Sequence, residues 1–221
     1  MSARQAWGWV TLAAILLALS VLTTRFEHPA VVPAAIVVVD AGHGGPDPGA
    51  VGANGVREAD LNLAVAADVA NDLRLAGIAV VMTRADDTAL AHPFSVRRDL
   101  LARSAVANGV GASVLVSIHI NTESTGTVHG PIVYYPSGRR LSHRLADLLE
   151  QQLAVATGIA HRPRPAHFLV LWAARVPAAL VELGFLTYGQ ESRQLQDPAY
   201  QQLLAAAITR AILHFLHATP T

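Results

Sequence analysis

Along most of this chain, β-branched runs alternate with segments in which apolar residues recur every four positions. Ile36-Val37-Val38-Val39 is a continuous apolar run, as expected of a strand buried on both faces. A glycine-rich loop follows and ends in the turn signal Asn54-Gly55. Glu58 to Leu75 reads as a helix, with Leu61, Val65, Val69 and Leu73 on one face and Gly77 placed to cap its end. Phe94 to Asn108 and Leu141 to Ala156 read as two more helices, stopped by Gly109 and Gly158. Asp197-Pro198 opens a last helix that runs to about His217, its inner face carrying Leu204, Ile208, Ile212 and Phe215. Between these lie short strands at Ile78–Met82, Ser113–Ile118, Ile132–Tyr135, Phe168–Leu171 and Ala178–Val181. Such alternation predicts a layered α/β domain with a largely parallel sheet.

The pattern breaks at the amino terminus. Ala6 to Leu22 carries no charge and is almost wholly apolar, with Arg4 before it and Arg25 and Glu27 after it. Its length stands at the short limit of a membrane span and also fits the core of a signal peptide. Positive charge on the inner flank predicts a cytoplasmic amino terminus and a domain outside. The triplet Ala18-Leu19-Ser20 lies inside the run and Pro33-Ala34-Ala35 abuts the first strand, which favours a retained signal anchor over cleavage. A buried helix of the globular domain is the third reading. The expected organisation is therefore a signal anchor or signal peptide over residues 1–25, a linker over 26–34 and a catalytic domain over 35–218. The expected location is extracytoplasmic, at the membrane through this segment, or secreted if the segment is cleaved. Roughly 190 residues remain beyond it, which suits one domain with one core.

Composition narrows the chemistry. Lys and Arg total 16, as do Asp and Glu, so no basic field exists to hold nucleic acid by its phosphates. Cysteine is absent, which removes disulfides, thiolate nucleophiles and cysteine zinc sites.

Three polar residues directly follow apolar strands: His43, His119 and Glu182. Ligands in open α/β sheets bind at the carboxyl ends of the strands, so parallel strands would bring all three to one rim. Glu58, at the head of the first helix, follows the flexible loop that carries His43. Two imidazoles and a carboxylate are a sufficient catalytic zinc set, leaving a position for water. Blander readings stand beside this one. Each histidine also fits a hydrogen-bonded rim residue, Glu182 an ion-pair partner, and Glu58 a first-turn carboxylate that complements a helix dipole.

Five ordered motifs together carry a resemblance. Asp40-Ala41-Gly42-His43-Gly44-Gly45 resembles the Asp-Pro-Gly-His-Gly-Gly opening of the zinc-dependent N-acetylmuramoyl-L-alanine amidases. Glu58 with Asp60-Leu61-Asn62-Leu63, Met82-Thr83-Arg84, Ser117-Ile118-His119-Ile120-Asn121 and Pro177 to Leu186 are similar to later motifs of that family. The resemblance runs from about Ile36 to Leu216. Ala41 replaces the usual proline, and Trp172 stands where an arginine is frequent.

This resemblance implies a single domain with a twisted six-stranded sheet flanked by helices. It implies one zinc per chain, held by His43, Glu58 and His119, with Glu182 as general base toward a water that zinc activates. The implied substrate is peptidoglycan or muropeptide, cut between the muramic lactyl group and L-alanine. Asp40 or a nearby carbonyl is the candidate for orienting His43. Substrate contacts from His129, His161 and His167, and stem-peptide ion pairs from Arg84, Arg98 and Arg103, are weighed against ordinary surface or structural roles. Two rivals remain: a zinc peptidase of the stem, separable by its products, and an inactive wall-binding module, which the complete set of four residues disfavours.

Overall fold

The β-branched run at Ile36 has no polar face, and it finds a strand on each side. In this computed structural model, which describes residues 35–123 and 128–218, β1 (Ile36–Ala41) pairs in parallel with β2 (Ala79–Met82) and with β3 (Val114–Asn121). Next to β3, also parallel, lies β6 (Ala178–Phe185). β4 (Ile132–Pro136) runs antiparallel to β6 and carries β5 (Arg164–Ala166) on its outer side. The order is β2-β1-β3-β6-β4-β5, a six-stranded, mostly parallel sheet. The segment Ala6–Leu22 lies outside the described residues. Among the described residues, no helix is long and apolar enough to cross a membrane.

Strand alternation divides the core into two layers. Val37, Val39, Val114, Val116, Ile118, Ala179, Val181 and Leu183 face three helices, α1 (Glu58–Leu75), α3 (Arg140–Thr157) and α6 (Pro198–His217). Val38, Leu115, Ala178 and Leu180 face the other way, toward α2 (Val96–Gly109) and α4 (Leu169–Ala173). On this second face the apolar series changes to polar toward the carboxyl ends: Val38 gives way to Asp40, Leu115 to Ser117 and His119, and Leu180 to Glu182. The fold thus spends its polar residues on one end of one face.

Several elements differ from the sequence reading. Phe168–Leu171 is not a strand. Phe168 precedes the short helix α4, and its carbonyl accepts from the amides of Leu171 and Trp172. Four apolar residues are too few for periodicity to separate helix from strand. β5 and the helix α5 (Gly189–Leu195) were not anticipated. Pro163 and Pro165 argue against a strand, and β5 tolerates Pro165 because it lies at the sheet edge. β3 and β6 also run further than expected, so His119 and Glu182 are strand residues in register with each other, not residues beyond strand ends. The helix ends follow the sequence more closely. Asp197 caps α6 by accepting from the Ala199 amide at 2.9 Å, and Gly77 and Gly158 take left-handed conformations after α1 and α3.

The polar end of the second face is anchored by a buried ion cluster. Arg103 on α2 donates to Asp40 at 2.8 Å and to Asp99 at 2.7 Å. Its remaining donors reach the carbonyls of Ala41 and His43, both at 2.6 Å. Asp40 accepts further from Ser117 Oγ at 2.6 Å and Thr83 Oγ1 at 2.7 Å. Burial opposes the Asp40 charge, but Arg103 and the two hydroxyls outweigh it and hold the carboxyl below its ordinary range. Arg84 completes the grip, donating to the carbonyls of Ala41, Gly42 and Ala59. Removing one partner of such a cluster strands the other charge in a dry site. Arg103→Met is therefore expected to lower stability by about 3–5 kcal/mol. The check is a denaturant midpoint measured with the slope unchanged; an unmoved midpoint would show the cluster to be dispensable.

Candidate active site

The loop between β1 and α1 turns sharply. His43 has φ 60°, a left-handed conformation uncommon for a residue with a side chain, and the glycines on its carboxyl side share positive φ. Such local strain persists where the surroundings enforce it. Here Arg103 holds the His43 carbonyl from behind. Two glycines are required for closeness as well. A β-carbon on Gly42 would lie 2.4 Å from the His119 ring, and one on Gly49 would lie 2.6 Å from Glu58 Oε2.

This packing brings three donors together from three elements. His43 Nε2 and His119 Nδ1 each stand 3.1 Å from Glu58 Oε1. One atom from each of the three residues lies within 4.8 Å of the others, the only such group among the described residues. Glu58 is buried at the start of α1, where its second oxygen accepts from the Ala50 amide at 2.9 Å. Its first oxygen also accepts from the Ile120 amide at 3.1 Å and Asn62 Nδ2 at 3.2 Å. Burial opposes ionisation of Glu58, but hydrogen bonds from His119 and His43 outweigh it and hold the carboxyl far below its usual range. His43 responds in the opposite sense: burial disfavours its charge, yet the bonds to Glu58 and Asp47 raise its pKa to about 9.

The expectation that Asp40 orients His43 is corrected. Asp40 is engaged by Arg103, Ser117 and Thr83, and the partner of His43 Nδ1 is Asp47 Oδ2 at 2.9 Å. Asp47 is itself steadied by the Gly49 amide at 3.1 Å. The sequence reading missed both Asp47 and Asn62. Each stands four residues after the group it supports, and for Asn62 that spacing puts it on the same helical face as Glu58.

Glu182 comes from the neighbouring strand, paired in register with His119. Its Oε2 atom is shut from solvent and has no hydrogen-bond partner. Burial pushes its pKa up to about 7, with the charge of His119 opposing and that of Glu58 adding. A cavity of about 210 Å³ is lined by the polar residues His43, Asp47, Asp99, Arg103, His119 and Glu182 and by the apolar residues Val96, Leu100, Phe168, Leu169, Val170 and Leu180. Arg84 and Arg103 are buried among backbone carbonyls, so their roles are structural; Arg98 is exposed on α2. His129, His161 and His167 do not line this cavity.

The donor set suits a divalent metal of borderline character. Two imidazole nitrogens and a carboxylate fit zinc better than magnesium or calcium. Two histidines aimed at a single carboxylate oxygen leave one point that a cation can share, and an unpartnered buried carboxylate oxygen stands beside it.

Known proteins share this architecture. The family described as N-acetylmuramoyl-L-alanine amidase matches residues 37–214. The uncharacterised protein YqiI of Bacillus subtilis is 34% identical over 212 residues, covering 95% of this chain and 97% of its own. The germination-specific N-acetylmuramoyl-L-alanine amidase of the same organism is 33% identical over 190 residues, covering 81% of this chain and 79% of its own. Among solved structures, the CwlD amidase of Clostridioides difficile, seen in complex with the GerS lipoprotein, superposes with a TM-score of 0.79 at 28% identity, covering 84% of this chain and 100% of that one. With the family matched across nearly the whole described domain, the chain belongs to the N-acetylmuramoyl-L-alanine amidases.

Proposed function

We propose that this protein hydrolyses the amide bond between the lactyl group of N-acetylmuramic acid and L-alanine in peptidoglycan. One zinc would be held by His43, Glu58 and His119, with Glu182 moving the proton. The observation that carries the reading is the convergence of those three donors beside a buried, unpartnered Glu182 oxygen. Zinc, when bound, supplies a water of lowered pKa and a Lewis acid for the carbonyl oxygen.

The chain's own residues do the rest. Asp47 takes the Nδ1 side of His43, leaving Nε2 to face the centre, the usual arrangement for a metal-bound imidazole. Asn62 and the Ile120 and Ala50 amides fix both oxygens of Glu58. Glu182 accepts a proton from the attacking water as the new carbon–oxygen bond forms. It then gives that proton to the departing nitrogen, because an amide nitrogen leaves poorly until protonated. The products are a muramic lactyl carboxylate and a stem peptide with a free L-alanine amino group.

The reading extends to the amino terminus. Residues 1–25 would serve as a signal anchor and 26–34 as a linker, so that residues 35–218 act outside the cytoplasm and at the membrane. This rests on the uncharged run Ala6–Leu22 with Arg4 on its inner flank.

Three outcomes test these assignments. His119→Ala is expected to lower zinc content and activity together; full zinc occupancy by elemental analysis would remove His119 from the ligand set. Glu182→Gln keeps shape but cannot accept the proton. Its zinc content and fold should persist while turnover falls by about 10²–10⁴-fold. Mass spectrometry of digested wall should show the free alanine terminus with the wild type, and near-normal turnover in the Gln variant would refute the proton role. Finally, a reporter joined to the carboxyl terminus should give an external signal and fractionate with membranes. A cytoplasmic signal would overturn the location, and a soluble external product would mean cleavage.

A further inference from the structure

The cavity beside the candidate metal centre opens onto an apolar ledge that the proposed chemistry does not use. Phe168 lines that cavity and is 38% exposed. Trp172 lies one helical turn further along α4 and is 53% exposed; its amide donates to the Phe168 carbonyl at 2.8 Å. Phe168 is the extended N-cap residue of α4, and this bond ties Trp172, at the fourth position of the helix, to the residue that lines the cavity. Val96, at the head of α2, is 54% exposed and lines the same cavity. Both rings are supported laterally: Tyr134 meets Phe168 edge-on with centroids 5.2 Å apart, and His167 meets Trp172 at 5.8 Å. Two exposed apolar side chains in the cavity wall, with an exposed indole one turn further along α4, mark a contact surface.

We infer that the Phe168–Trp172 ledge is the subsite that stacks on the N-acetylated sugar ring of the substrate. This deepens, and rests on, the amidase reading. In that substrate the scissile carbonyl is joined to the sugar through only one carbon and an ether oxygen. A carbonyl placed in the cavity therefore puts the ring at its mouth, where Phe168 and Val96 stand. A pyranose face presents polarised C–H bonds, which fit the negative face of an aromatic ring. The stem peptide, rich in carboxylates, is the poorer occupant. Arg139 lies over the Trp172 ring, 5.7 Å from its centroid, so the sugar would stack on the other face of the indole. Its guanidinium already donates to the Trp172 carbonyl at 2.8 Å and to the Ala174 carbonyl.

The test compares two substrates with the same stem peptide, one bearing the muramic sugar and one bearing only the lactyl group. Trp172→Ala is expected to cut the kcat/KM ratio of sugar-bearing to sugar-free substrate by about tenfold, mainly through KM. Trp172→Phe should restore most of that ratio. An unchanged ratio, or an equal loss on both substrates, would overturn the assignment. A direct reading is also available, because the other two tryptophans are Trp7 and Trp9. In the full chain carrying Trp7→Phe and Trp9→Phe, in detergent, Trp172 is the sole indole. Its emission should shift saturably with an N-acetylglucosamine oligosaccharide. A flat titration, or a shift with free stem peptide alone, refutes the sugar subsite. If the wild type frees no alanine terminus from either substrate, the amidase reading fails instead, while the emission titration still decides the ledge.

Discussion

The buried contact between Arg103 and Asp40 is the constraint from which the site follows. Arg103 reaches across from α2 to the end of β1 and binds both the Asp40 carboxylate and the carbonyls of Ala41 and His43. The Ala41 carbonyl ends β1, and the His43 carbonyl lies in the left-handed turn just beyond it. A charged donor makes the stronger kind of hydrogen bond to them. Together with Asp47 and Glu58, Arg103 holds His43 in a conformation that costs on the order of 1–3 kcal/mol. The same Asp40 binds Ser117 of β3 and Thr83, the residue after β2, so the ends of the three strands are joined just below the site.

Above that level the sheet changes character. Its two middle strands place His119 and Glu182 opposite each other, while α1 delivers Glu58 from the far side of the loop. Separate rigid elements therefore set the positions of Glu58, His119 and Glu182, and only His43 depends on a turn. Sites carried on strands and helices are held more closely than sites on loops. Val96, Leu100, Leu169, Val170 and Leu180 add apolar surface to the same cavity, which strengthens electrostatic interactions beside it.

Much of this was legible in the chain. His43, His119 and Glu182 each interrupt or end an apolar run, and Glu58 opens a helix with a clear four-residue spacing, so burial patterns alone drew attention to them. The supporting residues were harder to see. Asp40 reads as a polar end to a strand, and its partner Arg103 is remote in sequence, so nothing local links the two. Asp47 and Asn62 could have been found from their spacing to His43 and Glu58. Phe168–Leu171 reads as a strand because four apolar residues carry too little periodicity, whereas Leu169–Ala173 is a helix with Phe168 at its head. β5 contains a proline and spans three residues, so its pairing is decided by β4 and not by its own propensity.

That last strand has a consequence for how copies of the protein meet. A sheet edge with free amides and carbonyls is a template for another chain. At its outer edge β5 offers Arg164-Pro165-Ala166, with Arg162 and Pro163 just before it. Proline supplies no amide to a neighbour, and the arginines bring like charges together when two such edges approach. This side of the sheet is thereby poorly suited to growth by strand addition.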